Sequence, residues 1–181
     1  MKIGSPIPTW RVPTFVKGTL TFSSLIHSTS QPLVLCCTPS LTAAQAWLLE
    51  AHVTKFHNRH AFLATLVSRY MNHDLPWTLP SSNFHLPLLT DPLRRLSRSL
   101  GLSHNLAAPR CETLFFAQDH RLEFRLLHDL NVKGLARVLE VTEHHFSHLI
   151  QRPSQEPKNS LQFMQPNIED IEAHAAVQTS T

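Results

Sequence analysis

Residues 32–45 read PLVLCCTPSLTAAQ, and the stretch changes character halfway along. Pro32 to Thr38 is a continuous apolar run without alternation, the pattern of a strand covered on both faces. Pro39 and Ser40 break it. Leu41 to Asn58 is then long enough for a helix, with Ala44, Trp47, Leu48, Ala51 and Phe56 recurring near a 3.6-residue period. AFLATLVS, residues 61–68, is a second apolar run of the same kind. Strand, helix, strand in this order predicts a right-handed crossover joining two parallel central strands.

Towards the N-terminus, TFVKGTLTF (14–22) predicts a hairpin turning at Lys17-Gly18, with Gly18 at positive φ and Leu20 and Phe22 on the buried face. Towards the C-terminus, residues 69–85 carry Pro76, Trp77, Pro80 and Asn83 without any period and read as loop. DPLRRLSRSLG (91–101) predicts a helix capped by Asp91, with Pro92 at its first position, Leu93, Leu96 and Leu100 inward, Arg94, Arg95 and Arg98 outward, and Gly101 as its stop. TLFFA (113–117) is an all-apolar strand, QDHR turns, and LEFRL (122–126) alternates as a strand near a sheet edge does. Asn131 opens a last helix with Val132, Leu135, Leu139, Phe146 and Leu149 or Ile150 inward.

The chain has 181 residues, 42% of them hydrophobic, which is one domain over 1–150 with a real core and excludes a disulfide mini-protein or wholesale disorder. Charged residues make up 16% and the net charge is +3, too small a balance to name a nucleic acid or a membrane surface as partner. Three cysteines, Cys36, Cys37 and Cys111, are an odd number without ligand spacing and favour a reducing, cytoplasmic setting. No apolar run approaches the roughly 18 residues of a membrane span. Pro6 and Pro8 interrupt any leader-like stretch. From 151 to 181 the composition turns polar and proline-rich, a tail whose Phe163, Met164, Ile168 and Ile171 are its candidate contacts for a partner.

The order hairpin, strand, helix, strand, loop, helix, hairpin, helix is that of a thioredoxin-like three-layer α/β sandwich with a central mixed sheet. Over residues 3–150 the chain resembles the peroxiredoxins of the alkyl hydroperoxide reductase and thiol-specific antioxidant family. The resemblance is carried by GSPIPTW with KGTLTFSSL, by PLVLCCTPSLT, by FHLPLLTDPLRRLSRSLGL and by APRCETLFFAQDHRLEF. It implies a peroxidatic cysteine on the first turn of the helix after the core strand, preceded by a proline and a threonine and flanked by an arginine from a later strand. A thiolate is the nucleophile, and a helix N-terminus with a guanidinium lowers its pKa. Pro39, Thr42 and Arg110 match three of these roles, although two residues separate Pro39 from Thr42 where the family usually has three. Gln45 stands where the cysteine should be, and no cysteine occurs between Thr38 and Pro109.

Cys36 and Cys37 lie upstream of that site, inside the apolar run, and adjacent strand residues point to opposite faces. They read as buried structural cysteines, and Cys111, next to Arg110, is the best-placed remaining thiol. Glu140, His144 and His148 share one face of the last helix at four-residue spacing and are the candidate metal ligands, but without a fixed fourth partner they read as a solvated polar face and no metal is expected. His52, His57 and His60, and the arginine stripe at 94, 95 and 98, read as polar helix surface. No serine sits in a nucleophile elbow and no glycine-rich loop could cradle a phosphate chain. The expectation is a catalytically degenerate peroxiredoxin-like protein without cofactor, a binding or structural subunit of a homodimer or hetero-assembly. The alternative is residual thiol chemistry through Cys111 or the Cys36/Cys37 pair.

Overall fold

The computed structural model describes residues 1–9, 11–17, 19–23, 31–68, 84–102 and 110–150, with side chains to Phe146. The candidate partner residues Phe163, Met164, Ile168 and Ile171 lie outside the described residues, as does the whole 151–181 tail. Seven strands form one sheet in the order β2-β1-β5-β4-β3-β6-β7. They are β1 (Val12–Val16), β2 (Thr19–Ser23), β3 (Leu33–Thr38), β4 (Phe62–Val67), β5 (Leu88–Thr90), β6 (Cys111–Phe116) and β7 (Leu122–His128). β3, β4 and β5 are parallel, and the remaining pairings are antiparallel. Among the described residues there are three helices, α1 (Ala43–His57), α2 (Arg95–Ser99) and α3 (Val132–Ile150).

All six residues of β3 are buried, so the strand is covered on both sides as its unbroken apolar run requires. Val34 and Cys36 join a core built against α1 and α3, with Ala46, Leu49, Phe56, Leu135, Val138 and Phe146. Leu33, Leu35 and Cys37 join a second core built with Leu96 of α2, with Leu100 just after it, and with Ile7. The two cores and the sheet between them make the three-layer α/β sandwich that the element order predicts.

Several details differ from the sequence reading. Leu20 and Phe22 are 52% and 71% exposed, because β2 is the outermost strand and pairs only with β1. The left-handed turn residue is Lys17, at φ 49, while Gly18 lies outside the described residues. The inward stripe of α1 is Ala46, Leu49, His52 and Phe56; of the expected set Phe56 is buried and Leu48 packs partly buried against the core, while Ala44, Trp47 and Ala51 are exposed. His52 tolerates that position because its Nδ1 bonds the Leu48 carbonyl at 2.8 Å. Val132 of α3 is also exposed, and Val138 and Thr142 take the inward positions beside Leu135 and Phe146.

The 91–101 segment is a shorter helix than its punctuation predicts. Pro92 and the exposed Leu93 form a turn, Arg94 is left-handed at φ 56, and α2 begins only at Arg95. Asp91 still does the capping: Oδ1 accepts from the Arg95 amide at 3.0 Å and Oδ2 from the Ser97 amide at 2.7 Å. Gly101 ends the helix at φ 66, and a side chain there would run into the Met1 amine. Arg125 then ties that corner to β7 by donating to the Gly101 and Met1 carbonyls and to Glu112. In the segment read as loop, Phe84 is fully buried and meets Trp47 edge-on at 5.7 Å.

Because both Asp91 oxygens are buried and accept backbone amides, Asp91→Ala is expected to destabilise the fold by about 2 kcal/mol, read as a lowered denaturation midpoint.

Candidate functional site

Four chain segments converge at the end of the sheet where β3 finishes. β3 delivers Thr38 there and leads through Pro39 to the head of α1. β6 begins there with Cys111, preceded by Arg110, and β7 ends there at His128, followed by the head of α3. The parallel and antiparallel pairings therefore bring Pro39, Thr42, Gln45 and Arg110 to one end of the molecule.

At the head of α1, Thr42 is the N-cap and Gln45 the third helical residue. Thr42 Oγ1 accepts from the Gln45 amide at 3.2 Å, and Gln45 Oε1 accepts from the Thr42 amide at 3.0 Å and from its hydroxyl at 3.2 Å. This is a complete capping box. The position expected to carry a nucleophile thus carries an amide whose oxygen is spent on closing the helix end. Arg110, just before β6, is exposed and lines a concavity with the end of β7 and the first residues of α3.

The three sulfurs are elsewhere. Cys36 and Cys111 are wholly buried and Cys37 is 4% exposed. Cys111 is therefore as inaccessible as the other two, and its place beside Arg110 gives it no opening to solvent. Cys36 and Cys37 face opposite cores, as strand alternation demands. Cys37 donates to the Leu35 carbonyl at 3.6 Å, and burial, reinforced by the nearby Cys36 and Glu112 charges, pushes its pKa well up.

Cys36 belongs to a polar chain inside an apolar core. Its sulfur lies 3.4 Å from Thr113 Oγ1, which lies 2.7 Å from His128 Nε2, and His128 Nδ1 lies 2.9 Å from the Asp129 carbonyl. Hydrogen bonding from Cys111 lowers the Cys36 pKa despite burial, with His128 and Thr113 adding to it. Cys111 is raised in turn by the same bond and by burial. Burial works against a charged His128, yet its bonds to Cys36 and to the Asp129 carbonyl raise its pKa overall. With the imidazole protonated, every donor in the chain points one way: ring to threonine, threonine to Cys36 sulfur, and Cys111 to that same sulfur.

His128 is the residue that sequence reasoning missed. From the hairpin turn, Ala117 is bonded to Arg121 and Phe116 is paired with Leu122, a register that would set Leu127 opposite Cys111. A bulge between Phe115 and Phe116 shifts the register by one, so that Glu123 is the extra residue and His128 faces Cys111. Only knowledge of that bulge would have paired Cys111 with a histidine.

Of the candidate metal ligands, Glu140 and His144 line a shallow depression with Phe124 and His145, and the His148 side chain lies outside the described residues. Among the described residues no group of three or more His, Cys, Asp or Glu side chains is placed to hold a metal ion. Among them, too, no helix is long and apolar enough to cross a membrane.

Known structures with this architecture can now be compared. The mitochondrial 2-Cys peroxiredoxin from Plasmodium falciparum matches at a TM-score of 0.64 and 11% identity, over 83% of this chain and 97% of that one. The fold is the peroxiredoxin fold. Mycobacterium tuberculosis AhpC matches at a TM-score of 0.62 and 15% identity, over 80% of this chain and 98% of that one. Xanthomonas campestris peroxiredoxin Q matches at 0.60 and 16%, over 80% and 99%. No protein-family model and no curated protein sequence matches the chain. The peroxiredoxin architecture is therefore kept at identities that carry no statement about activity.

Gly134, in the first turn of α3, sits so close to the Asp129 carbonyl and to His128 Nδ1 that a Cβ would collide with both. Gly134→Ala, which in an open helical position gains roughly 0.5–1 kcal/mol, is expected here to cost about 2 kcal/mol by overpacking, measured by chemical denaturation. The raised Cys37 and Cys111 give a second expectation. The unfolded thiols release protons above pH 9.0 while the folded ones hold them, so stability falls as pH rises from there, by up to about 1.4 kcal/mol per pH unit for each thiol. Denaturation midpoints of Cys37→Ala should decline less steeply with pH than those of the parent chain.

Proposed function

We propose that this chain is a catalytically degenerate peroxiredoxin-fold protein that works as a binding or structural subunit, in a homodimer or a hetero-assembly. One observation carries the reading: Gln45 occupies the nucleophile's position and is locked with Thr42 in a capping box. An amide cannot attack a peroxide oxygen, and the Thr42 hydroxyl that would orient the substrate is engaged with Gln45. Burial of all three sulfurs supports it, since a thiol without access does not turn over. On this reading the domain over 1–150 is a scaffold, and the 151–181 tail, with Phe163, Met164, Ile168 and Ile171, reaches a protein partner.

A second reading has its own support in the lowered pKa of Cys36. A thiolate held by Thr113, Cys111 and the protonated His128 is a nucleophile in waiting, and local opening of the β3–β6 core would expose it. The cysteines of this alternative are then Cys36 and Cys111, with Cys37 turned away from both.

Intact-mass measurement after one equivalent of hydrogen peroxide separates the two. The scaffold reading expects no gain of oxygen on the time scale of mixing; rapid addition of one oxygen confined to Cys36 or Cys111 would support the thiol reading instead. Purification from native extract should yield the chain with a stable protein partner, and removal of residues 152–181 should release it. A monomer indifferent to that truncation defeats the subunit proposal.

A further inference from the structure

The cavity at the head of α3 has a chemistry that neither reading uses. It measures about 370 Å³, within the usual range for small-molecule sites, and its walls include Arg110, His128, Asp129, Asn131, Lys133 and Arg137. Three permanent cations therefore face one concavity against a single carboxylate. Among the described residues none of the three makes an ion pair or a side-chain hydrogen bond. Elsewhere among the described residues Arg59 pairs with Glu143, Arg121 with Asp119 and Arg125 with Glu112, while Arg95 and Arg98 of α2 make no ion pair either; what sets Arg110, Lys133 and Arg137 apart is that they share one cavity. Three like charges left unpaired around one depression repel one another, and an anion placed among them removes that repulsion.

The rest of the wall favours the same sign. α3 runs for 19 residues and has no acidic residue in its first turn, so the positive end of its dipole is uncompensated. Asn131 spends its side-chain oxygen on the Gly134 amide at 2.8 Å and adds no acceptor that would compete with an anion. The His128 ring is held on both nitrogens, by Thr113 and by the Asp129 carbonyl, and serves as a fixed wall. Two guanidiniums are suited to bidentate contact with a tetrahedral oxyanion, and a lysine adds a point charge. The three cations, with no Phe, Tyr or Trp side chain on the wall on which bases could stack, fit one phosphate group and not a nucleic-acid strand.

We propose that this cavity binds a phosphate-bearing small molecule, its oxyanion held by Arg110, Lys133 and Arg137 at the head of α3. The site needs no thiol, so it stands whether or not the protein reacts with peroxide.

The test is calorimetric titration of the full chain with inorganic phosphate at low salt in a phosphate-free buffer. Saturable binding is expected, weakened about tenfold or more by Arg110→Gln and by Arg137→Gln, because each removes a charge-assisted contact. Arg98→Gln, an exposed arginine on α2 well outside the cavity, should bind as the parent does. Both cavity variants alter exposed side chains, and unchanged denaturation midpoints without phosphate confirm that they fold. Absence of saturable binding at millimolar phosphate, or binding that Arg110→Gln and Arg137→Gln leave unchanged, overturns the proposal.

Discussion

β3 has no wet face, and most of the molecule's chemistry follows from that constraint. A strand buried on both sides must send adjacent residues into two separate cores, so the Cys36-Cys37 pair is split between the α1/α3 side and the α2 side. Neither sulfur can then serve a loop at the strand's end. On one side the thiol donates to the Leu35 carbonyl, and burial together with the nearby Glu112 charge keeps its proton in place. On the other it meets Thr113 and the end of β7, and becomes the terminus of a hydrogen-bonded chain that leads to the surface through His128. Buried polar groups persist when they are satisfied, and this chain is satisfied from Asp129 to Cys36.

Two helix heads lie at the same end of the sheet and are treated in opposite ways. The head of α1 closes on itself through Thr42 and Gln45, consuming the donors that an incoming anion or peroxide would need. The head of α3 has only Asn131 as a cap and is ringed by cations. The two heads thus differ in electrostatic character, one closed by its own side chains and the other facing cations. The head of α1 carries Gln45 and no sulfur, and the charged concavity lies at the head of α3, at the same end of the sheet.

The architecture was legible in the sequence because its strongest signals are local. The unbroken run at 32–38, the apolar run at 61–68 and the turn at 118–121 fix three pieces of the sheet without reference to anything distant. The absence of a cysteine at the head of α1 was equally plain, since it needs only the position of Pro39 and Thr42. What escaped was decided by cover and register. Leu20 and Phe22 look like core residues and are not, because sheet order leaves β2 at the edge. The α1 stripe keeps Phe56 but otherwise runs through Ala46, Leu49 and His52, and a histidine with a backbone partner takes a core place that apolar periodicity would deny it. His128 and the cavity at α3 depend on one bulged residue, Glu123, and no local pattern announces a bulge.

Gly134 shows how much can hang on a missing methyl. Because nothing projects from it, the rod of α3 leans its opening turn against the corner formed by His128 and Asp129. That closeness sets the gauge between a helix pole and an imidazole, and so joins a surface basin to a sealed sulfur by a few ångströms of packed contact. A chain lineage that filled this gap would have to push the helix and the strand end apart.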